Sequence, residues 1–221
     1  MTAMAIFLAF IATALMLGPP LAAPRERGPN RAALQDAAAR VESALGWRGL
    51  AEFLDAAAFT ESRWHPTAGA QRIGTNGALG GWQTRPTSAF PTQGARKEWT
   101  RAQAIALGFR LLDPRVAAAA IGDYLYRMRG WNPGATWEQL RASMVFPVFI
   151  HGRPQGDAPE QLRARFPTAE QWAARYDLAT ARFREGLDAA RVQLDPAARV
   201  DFPPGPVPFV SELAAEIGAP L

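Results

Sequence analysis

Glu61 closes an apolar, helix-like run, and one polar loop later the chain reads GALGGWQTRPTSA from Gly77 to Ala89. A carboxyl at the buried end of a helix loses hydration, so its charged form is disfavoured and it is suited to donate a proton as a general acid. Glycine lets a loop turn tightly and bring its backbone close to a ligand. The pairing points to one acid beside a glycine-lined cleft. Ser62 and Gln83 add a hydroxyl and an amide that suit polar ligand groups, and Trp64 and Trp82 add indole faces on which a ring could stack. Core packing is the competing role for both indoles. It is favoured for Trp64, whereas the place of Trp82 inside the glycine-bearing stretch favours the cleft.

The scaffold for these residues reads as helical. Asn30 caps a helix running towards Gly46, with Leu34, Ala37, Ala38, Val41 and Leu45 at three- and four-residue steps. Leu50, Phe53, Leu54, Ala57 and Ala58 form the apolar stripe of the next helix, which ends at Glu61. From His65 to Thr87 the glycine, proline, threonine and asparagine content predicts an ordered loop, with a short helix beginning near Pro86. Thr100 caps a helix to Leu107, and Asp113-Pro114 opens a longer one through Val116, Ile121, Tyr124, Leu125 and Met128, ended by Gly130. Thr136 caps a further helix with Leu140, Met144 and Phe146 on its buried side, stopped or kinked by Pro147. Pro167 to Leu194 reads as a long amphipathic helix along Trp172, Tyr176, Ala179, Phe183 and Leu187, and Phe209 to Ile217 as a short terminal one.

At 221 residues and 48% hydrophobic content, the chain can bury one sizeable core. Runs with period-two alternation are scarce, which favours an all-α domain. There is no cysteine, which removes disulfides and thiolate metal sites, and the two histidines, His65 and His151, show no metal-ligand spacing. No metal and no cofactor are expected. The 24 basic and 20 acidic residues give a pI near 10.3. The arginines are scattered along amphipathic segments without a nucleic-acid motif, so nucleic acid is not the expected partner.

Ala3 to Leu17 is uncharged and apolar, and small residues lead to Pro24 and Arg25. It is short for a membrane span, which needs about 20 apolar residues, and suits an export signal. The lack of lysine or arginine ahead of it and Pro24 directly after a cut at Ala23 leave an uncleaved anchor open. Beyond Asp195 the composition turns to proline, at 203, 204, 206 and 208, which predicts an extended arm or linker whose expected role is docking on the domain. The division is therefore 1–23 export signal or anchor, 29–194 helical domain, and 195–221 arm.

The stretch ESRWHPTA at Glu61 to Ala68, followed by GALGGWQTRPTSA, resembles the core signature of the soluble lytic transglycosylase family, which shares a lysozyme-like fold. Matching positions are Glu61, Ser62, Pro66, Ala68, Gly77, Ala78, Gly80, Gln83, Pro86 and Ala89. The resemblance implies cleavage of the β-1,4 link between N-acetylmuramic acid and N-acetylglucosamine in peptidoglycan glycan strands, in the periplasm or elsewhere in the cell envelope. It makes Glu61 the acid that protonates the leaving oxygen and then the base for the substrate's own hydroxyl, giving 1,6-anhydro products. It places Ser62 to hydrogen-bond the substrate or steady Glu61 and Gln83 to line the cleft, and Ala78, Gly80, Phe146 and Trp82, which stands where the family usually has methionine, complete the expected substrate-binding set. No aspartate or glutamate follows Glu61 until Glu98, so the two-carboxylate arrangement of most glycosidases is not evident nearby.

The family's later Ala-Tyr-Asn-Ala-Gly element is missing. The corresponding region reads ASMVFPVFIHG at Ala142 to Gly152, with Phe146 and Pro147 where tyrosine and asparagine are expected. Tyr124 or Tyr126 could supply the hydroxyl, the enzyme could work without it, or the domain could bind glycan without cutting it. Lysozyme-type hydrolysis, and a membrane-tethered protein whose Pro-rich tail recruits a partner, are further alternatives.

Overall fold

Helices form where apolar residues recur at three- and four-residue steps. The computed structural model describes residues 29–129, 134–145 and 168–221. Its helices are α1 (Pro29–Leu45), α2 (Leu50–Ser62), α3 (Pro86–Ala89), α4 (Arg101–Ala106), α5 (Pro114–Met128), α6 (Trp137–Val145), α7 (Ala169–Ala190) and α8 (Val210–Glu216). Single 3-10 turns occupy Ala70–Arg72 and Leu107–Leu112. Among the described residues there is no strand, only the isolated bridges Leu79–Thr84 and Thr136–Arg199, so the fold is all-α.

The caps carry the boundaries. Thr100 Oγ1 accepts from Gln103 N while Gln103 Oε1 accepts from Thr100 N, and Thr136 with Gln139 repeats this box ahead of α6. Asp113 Oδ1 accepts from Arg115 N at 2.9 Å, with Pro114 in the first turn of α5. α7 ends at Ala190 and not at Leu194, because Arg191 takes a left-handed φ of 56°.

α2 runs through the middle of the core and packs against α1 and α7. Phe53 lies between Trp137 of α6 and Phe183 of α7, with ring centroids 5.3 and 5.2 Å away. α7 approaches closely at Gly186, where a Cβ would stand 2.5 Å from Ala56 O. Only glycine permits that approach.

The proline-rich arm is not a free linker. Val200, Val207, Val210, Leu213, Ala214 and Ile217 are buried in the same core as α1 and α5. Because prolines have no N–H, no strand ladder can hold such a segment, and its carbonyls need donors from elsewhere. Arg96 gives bonds to Val207 O and Pro208 O, Arg129 to Pro203 O, Tyr126 Oη to Gly205 O, and Arg115 to Gly218 O.

The N-terminal apolar segment lies outside the described residues, as do Gly130, Phe146, Pro147, His151 and the side chain of Trp172. Among the described residues no helix is long and apolar enough to cross a membrane.

Candidate functional site

Glu61 stands in the last turn of α2, and that turn is firmly closed. Arg63 and Trp64 both take left-handed φ angles, 54° and 61°, and the Trp64 N–H reaches back to Ala58 O. Such angles are uncommon outside glycine and need support from the surroundings. The Trp64 ring provides it: Nε1 donates to the backbone O and to Oδ1 of Asp55, Phe59 lies at 4.8 Å, and the Arg31 guanidinium sits 4.2 Å over its face. Trp64 therefore anchors the helix end.

The glycine-bearing loop is fastened to that helix at two points. Ser62 Oγ donates to Gly81 O at 2.7 Å, and Trp82 Nε1 donates to Leu54 O at 2.7 Å. Inside the loop, Leu79 and Thr84 exchange backbone bonds, and Gln83, itself left-handed at φ 46°, uses its amide on Ala68 O and Gly80 O. Gly80 has φ 76° and passes so near Leu111 that a Cβ would stand 2.2 Å from its carbonyl oxygen. The loop cannot be built with a side chain there.

These elements leave a cleft of about 230 Å³. Glu61 enters it from α2; Trp82, Gln83, Thr84 and Arg85 form the loop wall; Ser88 of α3, Ile121 and Tyr124 of α5 and Met144 of α6 complete it. That volume is below the ~300–1,000 Å³ of pockets for drug-sized ligands and suits a monosaccharide-sized group.

Glu61, Trp82 and Gln83 therefore share one cavity, whereas Ser62, Ala78 and Gly80 do not line it. Ser62 ties helix to loop. Ala78 offers its carbonyl to Arg72. The roles of Trp82 and Gln83 also differ from the expected ones. Trp82 is 2% exposed and its N–H is used, so it forms wall and leaves no free ring face for stacking. Gln83 has its Nε2 protons on loop carbonyls and its Oε1 near Arg72, so it braces the loop. Phe146 lies outside the described residues.

Arg141 is the residue that sequence reasoning missed. It rises from α6 behind Glu61 with a side chain only 3% exposed, and its Nη2 donates to Glu61 Oε1 at 2.5 Å and to Thr60 Oγ1 at 2.9 Å. Glu61 is 26% exposed. Nε and Nη1 of Arg141 are buried and have no partner among the described residues. The signal was present: Trp137, Leu140, Arg141 and Met144 follow the three- and four-residue steps of a buried stripe. A buried arginine needs a carboxylate.

The two tyrosines proposed from sequence separate. Tyr126 Oη is spent on Gly205 O of the arm, whereas Tyr124 lines the cleft. Burial pushes the Tyr124 phenol up to about 12, opposed in part by the Arg127 guanidinium. It therefore stays a proton-bearing donor across the physiological range. Its folded value lies above the ordinary 10.0, so the stability it contributes is present below pH 10 and lost as pH rises towards 12. The unfolding free energy is expected to fall there by about 1.4 kcal/mol per pH unit, and Tyr124→Phe to flatten that part of a urea-denaturation series.

His65 is exposed beside Thr67, and among the described residues no three His, Cys, Asp or Glu side chains stand together as metal ligands. Comparison of the chain with family profiles, curated proteins and solved structures gives no match.

Proposed function

We propose that this chain cleaves the β-1,4 bond between N-acetylmuramic acid and N-acetylglucosamine in peptidoglycan, as an exported lytic transglycosylase of lysozyme-like fold acting at the cell envelope. The observation that carries the reading is that Glu61, at a rigidly closed helix end, shares one cleft with the GALGGWQTRPTSA loop. In this mechanism Glu61 passes a proton to the glycosidic oxygen as the bond to the anomeric carbon breaks. The muramoyl 6-hydroxyl then bonds to that carbon and returns its proton to Glu61, leaving a 1,6-anhydro ring. One enzyme carboxyl serves both halves, and no cofactor is required. Tyr124, as a donor in the same cleft, takes the part of the missing tyrosine.

One observation favours a second reading, a glycan-binding domain that does not cut. Oε1 of Glu61 accepts from Arg141 and presents no proton, so acid catalysis falls to the other oxygen, Oε2, alone. Incubating the full chain with purified sacculi separates the readings. Soluble fragments with anhydro ends by mass spectrometry are expected, reducing ends mean hydrolysis, and pelleting without fragments leaves only binding.

A further inference from the structure

Arg141 occupies a position whose cost needs a reason. Its guanidinium is almost fully buried, two of its N–H-bearing nitrogens lack partners among the described residues, and it does not line the cleft. Buried donors left unmade are destabilising, and a buried charge persists only with a counter-charge. Glu61 is its ion-pair partner among the described residues, and Thr60 its other hydrogen-bond acceptor.

The pair fixes one end of the carboxyl. Oε1 is held by Arg141, while the side chain still reaches the cleft, so Oε2 is left to meet a ligand. The guanidinium is already in place for the charge that appears on Glu61 when its proton leaves. Preorganised charge of this kind lowers the barrier because nothing reorganises at the moment of transfer.

We infer that Arg141 is the positioning residue of this site: it holds Oε1 of Glu61 so that Oε2 performs both proton transfers, and it stabilises the carboxylate between them. The inference rests on reading Glu61 as the acid and base of glycan cleavage. In the first half the proton on Oε2 goes to the glycosidic oxygen as the C–O bond breaks. In the second, the substrate hydroxyl oxygen bonds to the anomeric carbon and its proton goes to Oε2. Among the described residues, Arg85 and Tyr124 face the same cleft from the loop and α5, Arg63 pairs with Glu185 of α7, and Arg184 of α7 pairs with Glu138 of α6.

The test compares full-length wild type, Arg141→Met and Arg141→Lys on sacculi, with circular dichroism to establish folding. Arg141→Met is expected to lower kcat by about a hundredfold with KM unchanged, and Arg141→Lys, which keeps a charge but not the fork, to recover about tenfold. A rise in KM at wild-type kcat, or equal losses in both variants, overturns the inference. If Arg141→Met does not fold, Arg141→Lys decides alone, since wild-type kcat in that variant overturns it and a reduced kcat at unchanged KM supports it. A second arm needs no substrate: the carbon-13 signal of the Glu61 carboxyl is expected to move in the lysine variant near neutral pH. An unmoved signal sinks the pairing whatever the kinetics, whereas a moved signal with no fragments from the wild type sinks the catalytic reading instead.

Discussion

Glu61→Gln is expected to abolish fragment release and, in the same stroke, to weaken the fold. The chemical loss is at least about a thousandfold, because among the described residues no second acid lines the cleft to replace the proton donor. The structural loss comes from Arg141. Without the carboxylate its guanidinium keeps, among the described residues, the Thr60 hydroxyl and a neutral amide, in a place where water barely reaches. Stranding a buried charge costs 3–5 kcal/mol in fully buried pairs, and the partial exposure of Glu61 reduces this to about 2 kcal/mol. Urea denaturation beside the sacculus assay reads both effects. Glu61→Gln with Arg141→Met should return the stability to within about 1 kcal/mol of wild type while remaining inactive. Persistent release by the single variant removes Glu61 from the chemistry, and an unchanged denaturation midpoint removes the ion pair from the fold.

Asp123→Asn is expected to be the most destabilising single substitution of a polar residue. The Asp123 side chain is 0% exposed and joins two arginines: Oδ1 accepts from Arg96 and Oδ2 from Arg127, each at 2.8 Å. Arg96 continues to the arm carbonyls at Val207 and Pro208, and Arg127 continues to Ser88 O and lies 5.3 Å from the Tyr124 ring. One carboxylate thus holds the arm on one side and two cleft-lining residues on the other. Its neutralisation leaves two guanidinium groups without their shared charge, at about 3–5 kcal/mol, a large share of the 5–15 kcal/mol that holds a typical domain. Limited proteolysis with mass spectrometry should show early cuts between 195 and 209 in the variant, together with a lowered urea midpoint. Wild-type resistance and midpoint would remove Asp123 from the support of both arm and cleft.

Much of the architecture was legible because its signals are local. A threonine followed three residues later by glutamine marks Thr100 and Thr136 as caps, and Asp113-Pro114 opens α5. The apolar steps of α1 and α2 then fall on residues that are buried. The arm is a different case. Its attachment depends on arginines more than seventy positions away, at 96 and 129, meeting carbonyls that any residue carries, so no side-chain pattern announces it. The loop shows a third kind of limit. Residue type pointed Trp82 and Gln83 at a ligand, and both line the cavity, yet the backbone's need for donors and for cover from solvent claims the polar ends of both. Side-chain chemistry states what a residue is able to bind. It does not state what has already claimed it.

The seating of Val210, Leu213 and Ile217 against the body also bears on biosynthesis. A polypeptide made from its N-terminus exposes the face of α5 that these residues cover until they leave the ribosome, so this part of the core closes only after they have been made. Prematurely terminated products would present an oily surface of the kind that chaperones and proteases recognise.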